Sequence, residues 1–255
     1  MILIISPAKR LDFKSPAPIA QDTKPSFLSK SKEVINELKK FSPEELGMLL
    51  NLKEKLAQAS WERHQNWSDS CNGKLCKSAV FAYHGDVYQG MQPKSFSGDQ
   101  NKYMENHLRI LSSVYGLLGP LELIQPYRLQ MDTPLSINGH KDLYSFWKAE
   151  INLSLTKLIG QDPDNTLINL ASDEYFKVIN TKQISGKIIK PVFKQNANGK
   201  YKVVSIHAKR ARGMMCRFII ENQLEDPEHL KLFDWGRYLY SPDHSDADNW
   251  VFLRE

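Results

Sequence analysis

No run of about 18 apolar residues occurs anywhere in this 255-residue chain, so no segment reads as a membrane-spanning helix. The opening Met1-Ile2-Leu3-Ile4-Ile5-Ser6-Pro7 is too short an apolar run for a secretory signal and lacks a basic leader, so a cytoplasmic location is expected. Cysteine is scarce. Cys71, Cys76 and Cys216 are an odd number for a disulfide framework, and no further Cys or His stands at metal-ligand spacing. All three are read as structural or incidental, with Cys71 and Cys76 flanking a loop-like Asn72-Gly73, and no metal site is expected. His84 and His107 have no ligand-like partners in the sequence and are assigned to core or surface. There are no internal repeats, no low-complexity linkers, no Ser-His-Asp spacing and no dinucleotide fingerprint; Gly85-Asp86-Val87-Tyr88-Gln89-Gly90 does not follow the phosphate-loop pattern. No cofactor is expected.

The most informative absence is of negative charge. From Tyr175 to Ile220 there is no Asp or Glu, while the same 46 residues carry eleven Lys and Arg. Residues 1–174 hold 20 basic and 20 acidic residues, and residues 221–255 hold 3 basic and 9 acidic, so the net charge of +5 comes from one block. Segregation of this kind points to an anionic partner; the competing reading is a solvated face balanced in space by the acidic tail.

What is present resembles an ordinary globular protein, 41% hydrophobic and 25% charged, long enough for a single core. Residues 2–5 read as a buried strand running into the loop Ser6-Pro7-Ala8-Lys9-Arg10. Residues 27–40 and 42–50 read as helices, the second opened by Ser42, Pro43 and Glu45 as a capping box, and a third helical pattern runs to Trp67. Residues 79–83 read as a strand, 104–118 as a helix ended by Gly119-Pro120, 127–131 as a strand, 141–159 as a helix and 166–170 as a strand leading into a helix start at Ser172-Asp173. Residues 188–194 and 201–207 read as strands joined by an Asn196-Ala197-Asn198-Gly199 hairpin, a basic helix follows, and short strands fall near 237–240 and 250–253. The fold class expected is mixed α/β, one domain over residues 1–255 with a helical N-terminal lobe over about 27–67.

The basic helix spans residues 209–220. On a helical wheel Lys209, Arg210, Arg212, Gly213 and Arg217 fall on one side, and Ala211, Met214, Met215, Phe218 and Ile219 on the other. With the helix starting here, three cations occupy its first turn and oppose its dipole, which a bound phosphate would relieve. Residues 46–57 resemble a helix-hairpin-helix, with Asn51, Leu52 and Lys53 as hairpin and Ala57 as the small residue after it, although both hairpin glycines are absent; two helices of an ordinary lobe is the other reading. Polar residues at strand ends, chiefly Lys9, Asp86, Ser172 and Tyr175, are the catalytic candidates if the protein is an enzyme acting on a nucleotide or nucleic-acid base.

Taken together, "ISPAK" (5–9), "GDVYQG" (85–90), "HLRILSSVYGLLGPLELIQPYRLQM" (107–131), "KDLYSFW" (141–147), "INLASDEYFK" (168–177), "IIKPVF" (188–193) and "KRARGMMCRFIIEN" (209–222) resemble the YaaA family of bacterial peroxide-stress-resistance proteins nearly end to end. The resemblance implies a distinct α/β fold with mixed sheets surrounded by helices, a positively charged cleft and a helix-hairpin-helix. It implies sequence-nonspecific binding of duplex or branched DNA, survival of peroxide stress, limitation of free iron and DNA repair, with no established catalytic activity. The basic helix becomes one wall of the cleft. The phosphate-contacting candidates are then Lys9, Arg10, Asn51, Lys53, Lys55, Arg128, Lys177, Lys209, Arg210, Arg212 and Arg217. A rival hairpin is the 115–120 turn, which supplies Gly116 and Gly119. DNA is the expected partner, no membrane contact is expected, and a monomer is favoured.

Overall fold

The computed structural model describes residues 1–19, 23–71 and 75–255; the Asn72-Gly73 loop lies outside them. The chain opens with β1 (Ile2–Ile5) and a helical unit, α1 (Leu28–Leu38), α2 (Pro43–Leu50) and α3 (Glu54–Gln65). Then follow β2 (Lys77–Ser78), α4 (Ala79–Ala82), α5 (Asp86–Met91), α6 (Gly98–His107), β3 (Leu108–Ser112), β4 (Gly116–Leu118) and β5 (Leu123–Ile124). The second half holds α7 (Leu143–Gln161), β6 (Thr166–Asn169), α8 (Asp173–Phe176), β7 (Lys187–Ala197), β8 (Lys200–Lys202), α9 (Ser205–Glu221), β9 (Leu239–Tyr240) and β10 (Asn249–Arg254). The architecture is mixed α/β, a mixed sheet flanked by helices.

The main sheet runs β4-β3-β1-β6-β7-β10-β9, with β8 paired to β7. β1 lies parallel to β3 on one edge (Leu3 opposite Leu108) and parallel to β6 on the other (Ile4 opposite Asn169). It is buried along its whole length, which is why Ile2-Leu3-Ile4-Ile5 is a continuous apolar run. Ser42 caps α2 through the Glu45 amide, and Glu45 returns a bond to the Ser42 amide, completing the capping box. Asp142 caps α7 in the same way through the Ser145 amide.

Four sequence readings are corrected. Residues 79–83 form one helical turn and not a strand; all five are buried, and a short run that is apolar throughout carries no period to separate the two. Residues 104–118 are not one helix: α6 ends at His107, and β3 and β4 form an antiparallel pair. Met104, Leu108, Leu111, Tyr115 and Leu118 happen to repeat at helical spacing, but residues 110–118 are buried without a break, so over that stretch the spacing does not select a face. Residues 127–131 join no sheet, because their backbone groups bond to side chains instead: the Arg128 amide to His64 Nε2 (3.2 Å), the Met131 amide to Glu174 Oε1 (3.3 Å), and the Leu129 carbonyl to the Ser113 hydroxyl (2.9 Å). Residues 205–207 belong to α9 and not to the preceding strand, so α9 begins one turn before Lys209. Cys71 and Cys76 are joined in a disulfide, leaving Cys216 as the buried free thiol.

α5 crosses α9 with backbone against backbone, and two glycines make the approach possible. A Cβ on Gly213 would stand 1.9 Å from the Val87 carbonyl oxygen, and one on Gly90 would stand 2.2 Å from the Arg210 carbonyl oxygen. Gly213 therefore lies buried in this contact and not on the polar face of the wheel. Cys216 sits in the same crossing, its sulfur 3.6 Å from that of Met91.

α3 is docked through His64, which is fully buried and accepts the Arg128 amide at Nε2. Burial holds the His64 imidazole down at about 4.

Replacing Gly213 or Gly90 with Ala should destabilise the protein by about 3 kcal/mol, the upper end for over-packing, because backbone and not a flexible side chain fills the space; urea unfolding measures it. For His64 the unfolded chain takes up a proton near its ordinary value of 6.5, whereas the folded chain resists until about 4. Its contribution is complete above the upper value and lost as pH falls through that window. Acidification from about pH 7 to about pH 5 should cost roughly 1–2 kcal/mol of unfolding free energy that is absent in His64→Asn.

Candidate functional site

β1 is the point where the chain reverses direction across the sheet: β3 is laid down on one side of it, and β6 on the other. In open parallel sheets the crevice outside the C-terminal end of such a strand is where ligands bind. Here that crevice receives the Ser6–Arg10 loop, the residues after β3, and the β6-to-α8 turn.

The loop is held from several sides. The Ser6 hydroxyl accepts from the Ser172 amide (2.9 Å) and meets the Ser172 hydroxyl at 3.1 Å. The Tyr88 hydroxyl on α5 donates to the Ser6 carbonyl (3.1 Å). Arg128 donates through Nη1 to the Lys9 carbonyl (3.3 Å), and the His84 amide to the Arg10 carbonyl (2.9 Å). Further along, buried Lys77 donates to the carbonyls of Asp12 and Ser15, each at 2.7 Å. Hydrogen bonds from Ser15 hold the Asp12 carboxyl well below the usual carboxylate range. Lys9 and Arg10 are thus exposed cations on a fastened loop.

α5 also fixes α9 against this loop. Tyr88 bonds to Ser6, and two residues later Gly90 lies against the Arg210 backbone. The cations of α9 are thereby set relative to Lys9. Both Lys9 and Lys209 pull down the half-buried Glu174 carboxyl, which burial and then neighbouring Asp132 push up. Arg212 is partly buried near Asp173, and burial lowers its pKa. Arg63, near the end of α3, lies close enough to Arg128 to repel it. Lys9 and Lys209 thus stand near Glu174 and Asp132, Arg212 near Asp173 and Arg128 near Arg63, so four of the sequence candidates have Arg63, Asp132 and Glu174 as neighbours that sequence reading did not single out. Arg63 lies in a helix of mixed charge that marks no stripe, and Glu174 precedes the acid-free block by one position.

Among the described residues, Lys9, Arg10, Arg128, Lys209, Arg210 and Arg212 have no carboxylate within 4.0 Å. Some cations elsewhere do: Lys30 pairs with Glu150 at 2.5 Å, Lys40 with Glu37 at 2.6 Å and Lys190 with Asp173 at 2.7 Å. Arg217 belongs with these, since it pairs with Glu221 (2.6 Å) and donates to Gln92 Oε1 (2.6 Å). Lys177 is exposed and lies 4.8 Å from the centre of the Tyr144 ring. The cations of α9 stand in its second turn, not its first, so the expected conflict with the helix dipole is absent. Its first turn is Ser205, Ile206 and His207, with no side-chain cap.

The second group of candidates lies at the other end of α3. Asn51, Leu52 and Lys53 join α2 to α3, and Ala57 packs where a Cβ on Gly47 would touch it at 3.0 Å. Asn51 adopts φ 50°, a left-handed position that Asn tolerates, while Lys53 has φ −71° and needs no glycine. No side chain caps α3, and Lys53 and Lys55 are exposed beside its first amides. The rival 115–120 turn lies in the interior: Tyr115, Leu117 and Leu118 are buried, and Gly116 is pressed against Trp147.

The four candidates for catalysis also meet near the β1 loop. Ser172 bonds to Ser6, Tyr175 is buried directly after Glu174, and Asp86 opens α5 next to Gly85, which packs on Ala8. Burial raises the Tyr175 hydroxyl well above its ordinary value. Among the described residues no base bonds to the Ser6 or Ser172 hydroxyl, so the geometry there is that of a fastened turn. The described residues contain no group of three or more His, Cys, Asp or Glu placed to hold a metal ion, and no helix long and apolar enough to cross a membrane.

Comparison with known proteins agrees with the pattern of motifs. Residues 1–244 match the family model described as "Peroxide stress protein YaaA". A UPF0246 protein of Teredinibacter turnerae is 44% identical over 255 residues, covering 100% of both chains. One of Ralstonia pickettii is 43% identical, covering 100% of this chain and 99% of its own, and one of Neisseria meningitidis is 42% identical, covering 100% and 98%. With the match running through the β1 loop, the α5–α9 crossing and the α2–α3 unit alike, the chain belongs to the YaaA family of peroxide stress proteins.

Proposed function

We propose that the crevice at the end of β1 is a phosphate-binding surface through which the protein holds duplex or branched DNA without reading sequence, as a monomeric cytoplasmic protein that limits iron-driven DNA damage during peroxide stress. The observation that carries this reading is the placing of cations without a carboxylate within 4.0 Å, Lys9, Arg10, Arg128, Lys209, Arg210 and Arg212, on backbone fastened around the end of β1. Cations left without carboxylates at a strand-end crevice suit an anion that arrives from outside.

The α2–α3 connection extends the same surface as a helix-hairpin-helix. Uncapped amides at the start of α3, flanked by Lys53 and Lys55, suit one backbone phosphate. Ten residues of helix separate Lys53 from Arg63, about 15 Å at 1.5 Å per residue. That length spans roughly four steps of a DNA strand at 3.4 Å each, so the hairpin and the crevice can engage one duplex in different places. A second reading, an enzyme on a nucleotide or base, is supported by the Asn169 side-chain nitrogen, which is buried without a partner among the described residues at the end of β6.

Fluorescence anisotropy on labelled duplex and four-way-junction DNA, titrated at several salt concentrations, tests the proposal. Affinity should fall with log salt at a slope of about −0.9 per phosphate engaged, and a folded Lys9→Glu/Lys209→Glu/Arg210→Glu variant should lose binding. Glu174→Gln should strengthen binding by removing an acid from among the cations. Undiminished binding by the folded triple variant would overturn the assignment, and nucleotide binding in place of DNA binding would favour the second reading.

A further inference from the structure

The Cys71–Cys76 disulfide closes a ring across a sequence separation of 5. The ring hangs from a neck that other bonds already fix. On one side the Ser68 amide donates to Gln125 Oε1 (3.2 Å), and the Gln125 side-chain nitrogen donates back to the Ser68 carbonyl. Trp67, just before, donates through Nε1 to the Tyr115 hydroxyl (2.9 Å). On the other side β2 pairs with β5, Lys77 opposite Ile124 and Ser78 opposite Leu123, and Lys77 holds the carbonyls of Asp12 and Ser15. Ser68 and Lys77 are thus anchored at neighbouring residues, Gln125 and Ile124.

A disulfide that serves the fold ties segments that nothing else ties, and its hold on the unfolded chain grows with the loop it closes. This one closes a short ring inside a loop whose ends are already joined, so the fold does not depend on it. With the bond open, the neck remains and keeps the two thiols in reach of each other, so closure stays intramolecular. Both cysteines are half-buried. Leu75, beside Cys76, is 43% exposed and lines an open cleft of about 330 Å³ with Arg63, Trp67 and Pro126. The pair is therefore open to reagents from solvent, whereas Cys216 is fully buried.

We infer that Cys71 and Cys76 form a reversible redox site that reduces a hydroperoxide and is reset by a dithiol; the site does not rest on the DNA reading. With hydrogen peroxide, one cysteine thiolate attacks a peroxide oxygen. The O–O bond breaks, the departing hydroxide takes a proton to become water, and a sulfenic acid remains. The other thiolate attacks that sulfur, the S–O bond breaks, and hydroxide again leaves as water as the S–S bond forms. Both sulfurs are oxidised and the peroxide is reduced. In the resetting half, a thiolate of the external dithiol attacks the disulfide and releases one cysteine thiolate. Its second thiolate then displaces the other cysteine, and the dithiol departs as a disulfide.

The full chain without denaturant tests this, with dithiothreitol as reductant, hydrogen peroxide as oxidant, and alkylation with peptide mass mapping as the readout. Dithiothreitol should open the bond, so that Cys71 and Cys76 alkylate while Cys216 does not, and amide shifts should move only near residues 68–78. Hydrogen peroxide given to the reduced protein should restore the disulfide at least about 10-fold faster than it modifies Cys216. Of Cys71→Ser and Cys76→Ser, at least one should stop at a sulfenic acid on the remaining cysteine, which dimedone traps. A bond that opens only in denaturant, a reduced chain that loses its fold, or a dithiol that peroxide leaves untouched or carries to sulfinic acid in place of the disulfide would overturn the inference. The unmodified protein decides the matter even if neither variant folds.

Discussion

Ile2 to Ile5 are paired along both edges and buried on both faces, and they occupy the position where the chain crosses from one half of the sheet to the other. Because β3 and β6 diverge from this strand on opposite sides, the segment leaving it must emerge between them. The Ser6–Arg10 loop is therefore delivered to the crevice by topology, and its hydrogen bonds to Ser172, Tyr88, Arg128 and His84 then keep it there. Side chains on a loop fixed this way lose little further freedom on meeting a ligand.

The α5–α9 crossing carries the second part of the geometry. α9 has a divided role along one element: Ala211, Met215 and Ile219 complete the core, while Lys209 and Arg210 remain in solvent. Backbone-to-backbone contact at Gly90 and Gly213 lets α5 approach closely enough that Tyr88 reaches the β1 loop. Core packing, helix crossing and surface charge thus meet on one pair of helices in direct contact.

Much of this was legible from local signals. β1, the capping box at Ser42, α7, β6 and the Asn198-Gly199 hairpin each announce themselves within a few residues, because caps, turns and strongly apolar strands are governed by near neighbours. Residues 79–83 and 110–118 were not legible, because segments buried on all sides carry no contrast between faces. Residues 127–131 depended on His64, Ser113 and Glu174, partners 16 to 64 positions away, and no local pattern encodes them. For the site, the acid-free block led to Lys209, Arg210 and Arg212, and the loop after β1 led to Lys9. Arg63 and Glu174 join only in three dimensions. Arg217 shows the reverse: its charge stands out in the sequence, but Glu221, one helical turn further on, already matches it.

The sulfur atoms in the α5–α9 crossing have a chemical consequence. Thiols react with oxidants as thiolates, and burial pushes the Cys216 thiol up to about 12, so at neutral pH almost none is in the reactive form. Met91, its neighbour, is equally hidden from solvent. Sulfoxide or sulfenic acid formed there would place a polar, bulkier group where two helices touch backbone to backbone. For a member of a peroxide stress family, this closed crossing keeps oxidisable atoms out of reach of the oxidant while the basic face beside it stays open to solvent.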